Sequence, residues 1–413
     1  MRFVARLLPL LALYILFILP SVAHEGRLRP DEGRYWGSAE ALVEGRYSLP
    51  AQLQLWNGPG YAILLSPFAE LSLPRAAARF MNGGLLFLAV LYFYLMLRMY
   101  VREKTAYLGA YALGLYPPVL QMLPQLMTEP AALFLTCGFV FHFSRIARGA
   151  RTLSWDLLVA ALYLGYLTLT KVIFGYVIVL ALAVFLVRLV IMRRPADFRS
   201  LLVCGIALVS CAPYLAYTHS LTGKTFYWAN SGGLSLYWMS SPHNKEYGDW
   251  LSPSQTWARP SGDEGQPGKL DKHREFLDSA QELGPTERDE ALRDQAIRNI
   301  RAHPGKYVEN WFANLGRLFF NYPFSYKTQG SQTYIYILPG MFIVVGLAMS
   351  LYPGWRARRR VPYEIGALVG FTSIYLGASS VVSAYGRMLF PALPVLILWI
   401  VFSLSNLVRA RVV

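Results

Sequence analysis

The sequence predicts an all-α polytopic membrane protein, and three observations carry that prediction. Of 413 residues, 55% are hydrophobic and only 15% charged, too few for an ordinary water-facing surface. Apolar runs of spanning length recur along the chain. Arginine and lysine cluster in alternate connections between those runs, as expected when short positively charged loops stay on the cytoplasmic side.

Taken in order, the runs read as crossings are Leu7 to Ala23, Phe80 to Tyr100, Ala106 to Leu123, Ala131 to Phe143 and Leu157 to Thr170. They continue with Val172 to Val187, Leu201 to Tyr217, Tyr334 to Tyr352, Ile365 to Val382 and Met388 to Leu407. This gives a bundle of about ten transmembrane helices. The basic groups between them are Arg2 with Arg6, Arg102 with Lys104, and Arg145 with Arg148 and Arg151. Arg193, Arg194 and Arg199 follow, then Arg356 with Arg358 to Arg360, and finally Arg409 with Arg411. With about ten crossings all of them fall on one face, which predicts cytoplasmic termini in a cell inner membrane. The first run, with Arg2, Arg6 and Ser21-Val22-Ala23, also resembles a cleavable signal peptide. It is read as a retained helix, and the downstream topology is the same either way.

Between the first two crossings, residues 24–75 form an external loop with two short amphipathic helices. Tyr35, Trp36, Ala39, Leu42 and Val43 share one face, ending at Gly45, and Tyr61, Leu64, Leu65, Phe68 and Leu71 make a second stripe before Pro74. Both are expected to lie in the membrane interface. The bundle therefore occupies residues 1–217. Residues 218–333 form a small, mainly helical external (periplasmic) domain, and residues 334–413 hold the last membrane helices. Within the external domain, Ser252 to Gly268 reads as a loop rich in Pro, Gly and Ser. Thr286 is the expected N-cap of a helix carrying Leu292, Ala296 and Ile300, and Pro304 opens another with Tyr307, Trp311, Leu315 and Leu318.

The net charge of +15 raises nucleic acid as a partner, but its distribution argues against that. Residues 218–333 carry 13 Lys plus Arg and 13 Asp plus Glu, so the excess follows the topology. Cys137, Cys204 and Cys211 all sit inside apolar runs, where no disulfide is expected. No CxxC pair or His-rich cluster has metal-site spacing. Two or three external carboxylates could hold a divalent cation, but no spacing demands it.

The chemistry is expected where ionisable residues crowd the external ends of the helices. Asp31 and Glu32 follow the first helix, Glu129 opens the fourth, Lys171 lies between the fifth and sixth, and Arg387 opens the last. Each also has an ordinary role: Asp31 and Glu129 as helix caps, Glu32 as a first-turn acid, and Lys171 and Arg387 as snorkelling cations. Acids and cations facing one cavity suit group transfer from a phosphate-linked lipid. Cations offset charge on the leaving phosphate, and a carboxylate takes the acceptor's proton. Asp31 is the candidate base with Glu32 and Glu129 as helpers. Lys171 and Arg387 are the candidate phosphate ligands, joined by Lys327 or Arg317 near the return to the membrane.

At these residues the sequence resembles the GT-C superfamily of membrane glycosyltransferases, in particular the branch of lipid A aminoarabinose transferases and protein O-mannosyltransferases. The resemblance is carried, in order, by Asp31-Glu32 with Tyr35, Asn57-Gly58-Pro59-Gly60-Tyr61, Met127-Thr128-Glu129-Pro130, Leu169-Thr170-Lys171, and Arg387 with Pro391 and Pro394. Asn57, Val172 and Met388 depart from the family pattern, and the external domain is short for an aminoarabinose transferase. The resemblance implies a GT-C-like bundle, Tyr61 in the donor-site motif, a polyprenyl-phosphate-linked sugar as donor, and inverting transfer to a glycan, lipid or protein acceptor at the external face. Two other readings stay open. One is an oligosaccharide polymerase or ligase, against which the Asp-Glu pair argues. The other is a transporter or flippase, which would place its charges nearer the bilayer midplane and often repeats internally.

Overall fold

A computed structural model describes residues 2–22, 28–48, 53–148, 154–252, 256–257, 270–326, 330 and 332–408. Lys327, Arg151, Arg409, Arg411 and most of the Ser252 to Gly268 stretch lie outside the described residues. Among those described, every regular element is helical, and the chain is an all-α polytopic membrane protein.

The bundle begins with α1 (Arg2–Val22), and the external loop supplies α2 (Pro30–Val43) and α3 (Gly60–Glu70). Next come α4 (Arg75–Arg98), α5 (Glu103–Gly114), the single turn α6 (Pro117–Leu120), α7 (Glu129–Arg148) and α8 (Trp155–Thr170). They are followed by α9 (Ile173–Met192), α10 (Pro195–Ser210) and α11 (Ala212–Thr222). The segment from residue 218 to residue 333 contains α12 (Gly232–Met239), α13 (Asp271–Gln281), α14 (Pro285–Ala302) and α15 (Pro304–Phe320). The chain closes with α16 (Gln332–Arg356), α17 (Tyr363–Ser380), a 3₁₀ segment at Gly386–Ala392, and α18 (Leu393–Phe402).

Among the described residues, five helical stretches are long and apolar enough to cross a membrane: Phe3–Val22, Arg75–Arg98, Ile173–Met192, Thr333–Arg356 and Gly386–Leu407. The bent pair α10 and α11 makes a sixth if it crosses as one unit. The remaining expected crossings fall on helices that are shorter or more polar. Two expected runs are interrupted. Ala106 to Leu123 breaks at Pro117-Pro118, where two prolines stop one helix and start a single turn of another. Leu201 to Tyr217 bends by 45° at Cys211, with Pro213 in the first turn of α11.

Both loop helices occur close to their expected bounds. Pro30 opens α2 with its fixed φ, and Glu32 caps it by accepting the Arg29 N–H at 3.1 Å. The chain leaves α2 through Gly45, at φ +82°. Helices α2 and α3 pack as a pair through Tyr35, Trp36 and Ala39 against Tyr61, Ala62 and Leu65. The start of α3 lies hard against the end of α8. A Cβ on Gly58 would stand 2.0 Å from the Leu169 carbonyl oxygen, and one on Gly60 would stand 2.5 Å from Thr170 Oγ1. Tyr166 donates its hydroxyl to the Gly60 carbonyl at 2.8 Å.

In the same segment, Leu234, Tyr237, Trp238, Leu277, Leu292 and Ala296 form a separate core. Helix α14 starts two residues earlier than its sequence signal: Gly284, not Thr286, is the N-cap, and Glu287 accepts its N–H at 3.2 Å. Helix α15 opens at Pro304 as expected and grips the strap after α17. Asn314 Nδ2 donates to the carbonyls of Ser380 and Val382, each at 2.7 Å, and Asn314 Oδ1 accepts the Ala384 N–H at 2.9 Å. Tyr307 and Trp311 add bonds to Val381 and Ser380. This strap leads directly into Arg387.

Candidate active site

Four elements meet at the candidate site: the first turn of α2, the first residue of α7, the break between α8 and α9, and the 3₁₀ segment before α18. Each contributes one charged side chain. The Asp31 carboxylate accepts from Arg387 through Oδ2 at 2.7 Å and from Arg34 through Oδ1 at 2.6 Å. Lys171 Nζ donates to Glu129 Oε1 at 2.9 Å. Arg387 also lies within electrostatic reach of Glu129, so it links the two pairs.

Exposure distinguishes the members. The Glu129 side chain is 1% exposed, whereas Lys171, Arg387 and Asp31 keep 20%, 27% and 29% of their side-chain surface. Glu129 is thus an interior counter-charge, and the other three remain open to an incoming molecule. Burial alone would raise the Asp31 pKa, but the guanidinium groups of Arg387 and Arg34 outweigh it and hold the carboxyl below its usual range.

The local sequence explains each placement. Pro30 starts α2, which puts Asp31 and Arg34 three residues apart on one face. Glu129 heads α7, and Thr128 donates its hydroxyl toward it. Lys171 is the C-cap of α8, with φ −132° and ψ +89°, so its side chain leaves where the helix stops. Arg387 follows Gly386, above which the Tyr336 ring sits so closely that an added Cβ would fall 2.7 Å from it. The Arg387 guanidinium also lies over the Tyr385 ring, 5.6 Å from its centroid.

The other sequence candidates separate into three groups. Glu32 is next to Asp31 in sequence but faces the opposite way. It is buried, with Oε1 accepting the Leu126 N–H at 2.9 Å and forming an ion pair with Arg79 at 3.7 Å. It holds the segment leading into Glu129 rather than facing an acceptor. Tyr61 is fully buried and hydrogen-bonded to Asn82, which donates in turn to the Gln125 carbonyl. It supports the site from beneath. Arg317 departs from its expected role. It has no exposed surface, and it donates to the carbonyls of Tyr247 and Pro323 at 2.7 and 3.2 Å and to Asn314 Oδ1 at 2.9 Å. Those bonds tie α15 to Tyr247 and Pro323 and leave no open face for a phosphate. Lys327 is outside the described residues.

Sequence reasoning missed Arg34, Arg79 and Asn82. Arg34 was signalled by its i,i+3 spacing from Asp31. Arg79 and Asn82 were signalled as polar residues at the entrance to an apolar run. Among the described residues, no group of three or more His, Cys, Asp or Glu is placed to share a metal ion.

With this geometry in place, the chain can be compared with known proteins. No protein-family model and no curated protein sequence matches it. Among solved structures, it is similar to the Archaeoglobus fulgidus oligosaccharyltransferase in its apo form, with 14% identity, a TM-score of 0.49, and coverage of 97% of this chain and 50% of that one. It is also similar to archaeal oligosaccharyltransferase AglB from the same organism in complex with an inhibitory peptide and a dolichol-phosphate, with 14% identity, a TM-score of 0.44 and coverage of 95% and 50%. A third similar structure is ArnT from Cupriavidus metallidurans bound to undecaprenyl phosphate, with 13% identity, a TM-score of 0.43 and coverage of 97% and 78%. The chain spans about half the length of the oligosaccharyltransferase chains. At these identities, and with TM-scores below 0.5, the likenesses carry no argument about this chain.

Proposed function

We propose that this chain is a glycosyltransferase that moves a sugar from a polyprenyl-phosphate-linked donor to an acceptor hydroxyl at the external, periplasmic face of the inner membrane. The observation that carries this reading is the pairing of Asp31 with Arg387 beside the pair of Glu129 and Lys171. One accessible carboxylate and two accessible cations stand together, with a buried carboxylate holding them in register.

In the proposed reaction, a lone pair of the acceptor oxygen forms a bond to the anomeric carbon. The bond from that carbon to the phosphate oxygen breaks, and its electron pair leaves on the phosphate. The acceptor's proton goes to Asp31. A single displacement of this kind inverts the anomeric centre. Lys171 and Arg387 offset the charge that develops on the departing phosphate, in a setting where water screens it poorly.

The charge balance suits such a step. Arg34, Arg387 and Lys171 against Asp31 and Glu129 leave one positive charge, which matches the single negative charge of a sugar phosphodiester. After transfer the phosphate carries a second negative charge, and protonation of Asp31 cancels it. The site is thus equally balanced before and after the reaction.

The test is to incubate purified protein in nanodiscs with short-chain polyprenyl-phosphate sugars and measure released polyprenyl phosphate. Wild type is expected to release it with at least one sugar, and Asp31→Asn to lower the rate by about 10²–10⁴-fold. Full turnover by Asp31→Asn would sink the proposal.

A further inference from the structure

A cavity of about 400 Å³ lies beside the candidate site, between the external loop and the external domain. Its size falls within the range of small-molecule sites. Arg34, Gln54, Trp56, Asn230, Trp257 and Asp289 are among the residues that line it. Arg34 is common to both places, because the guanidinium that faces the cavity also donates to Asp31 Oδ1 at 2.6 Å. An occupant of the cavity is therefore one side chain away from the proposed base.

The lining is chemically specific. Trp56 and Trp257 are both half-buried. Each is held by a neighbour: Trp250 meets Trp56 edge-on with centroids 5.8 Å apart, and Arg288 lies 5.3 Å over the Trp257 ring. Asn230 is 6% exposed and anchored, its backbone N–H on the Leu55 carbonyl at 2.9 Å and its Nδ2 on the Leu53 carbonyl at 3.1 Å. Its Oδ1 is buried without a partner among the described residues, as is Arg34 Nε. Asp289 uses Oδ1 on the Gly233 N–H at 2.7 Å. The groups an occupant of the cavity would meet are the half-buried Trp56, Trp257 and Asp289 and the exposed Gln54.

Aromatic faces with planar amide, carboxylate and guanidinium groups around them match a pyranose ring, which has an apolar C–H face and a rim of hydroxyls that both donate and accept. A hydrocarbon would leave the polar atoms of the lining unpaired.

We propose that this cavity is the acceptor subsite and that the acceptor is a saccharide, bound between Trp56 and Trp257 and presenting its reactive hydroxyl past Arg34 to Asp31. The proposal rests on the transferase reading above and adds the acceptor's chemical class.

The experiment measures equilibrium binding to the full chain in nanodiscs, by saturation-transfer NMR and tryptophan fluorescence. The probes are maltotriose, mannotriose, triacetylchitotriose and a neutral hexapeptide. At least one trisaccharide is expected to bind, with a Kd raised at least tenfold by Trp257→Ala and by Asp289→Asn, and at least threefold by Gln54→Ala. Gln54 is exposed and Asp289→Asn is nearly isosteric, so these two decide the matter if Trp257→Ala lowers the melting temperature. Failure of every trisaccharide to bind, binding of the hexapeptide instead, or a Kd untouched by the well-folded variants would overturn the proposal. A trisaccharide that binds here while no donor releases polyprenyl phosphate would sink the transferase reading and leave the saccharide site standing. Release of polyprenyl phosphate without saccharide binding would do the reverse.

Discussion

Carboxylates at the starts of helices serve three different purposes in this chain. Asp31 is held ionised by two arginines, Glu32 caps its helix and faces buried Arg79, and Asp289 stands in the cavity with its charge poorly offset. Burial pushes the Asp289 pKa up to about 6, which the Gly233 N–H, Arg293 and Lys224 only partly oppose and Glu290 reinforces. A carboxyl whose pKa is raised on folding stabilises the fold fully below its unfolded value, and that contribution is lost as pH rises through about 6. Asp289→Asn keeps an acceptor for Gly233 and removes the ionisation. It should therefore leave stability nearly unchanged at pH 4 and raise it at pH 8, by on the order of 1–2 kcal/mol once solvent screening is allowed for. Thermal unfolding of both proteins across that range checks the sign; a variant less stable at pH 8 would contradict it. The charged side chains that pair here, Asp31 with Arg387 and Glu129 with Lys171, were legible in the sequence because charges beside apolar runs stand out. Glu32 was legible as an acid but not as a buried one, since only the fold brings Leu126 and Arg79 to it.

At the scale of elements, the glycines of Asn57-Gly58-Pro59-Gly60-Tyr61 act through a partner far away in sequence. They let the loop backbone touch Leu169 and Thr170, so the end of α8 that carries Lys171 is seated against the start of α3. Adding one methyl at Gly58, where the space to the Leu169 oxygen is 2.0 Å, must separate these two backbones. Gly58→Ala is expected to lower turnover more than about tenfold, the rate equivalent of 1.4 kcal/mol, while circular dichroism still reports a helical protein. Unchanged donor KM and kcat would show that this seat does not position Lys171. The motif itself was readable, but its partner was not, because hydrophobic period reports which face of a helix is buried and not what covers it. The same limit explains the broken crossings. Mean apolarity ran through Pro117-Pro118 and Pro213, and the backbone did not. Helix α13 went unread because its Asp271–Gln281 sequence is mostly polar.

At the scale of the molecule, the external domain and the last membrane helices are joined by the Asn314 grip on residues 380–384, a few residues before Arg387. Asn314→Ala leaves two carbonyls and one N–H without their partner and removes an acceptor from Arg317. Its expected cost is about 2–4 kcal/mol, read as a lower thermal midpoint, together with reduced donor turnover because the arginine's mooring is loosened. A variant with wild-type stability and wild-type turnover would separate the strap from the site. The long apolar helices were foreseeable from hydropathy. The grip was not, because an asparagine in an amphipathic helix gives no sign of the strap it will hold.

The clasp between Asp31 and Arg387 has a kinetic meaning on the proposed reading. While Arg387 sits on the carboxylate, Asp31 is a feeble proton acceptor and one of its oxygens is occupied. A donor phosphate that draws Arg387 to itself removes that restraint and frees the oxygen in one movement. The enzyme would then be strictly sequential, the lipid-linked sugar entering before the acceptor hydroxyl is engaged, and the carboxylate would be armed only when there is a sugar to give.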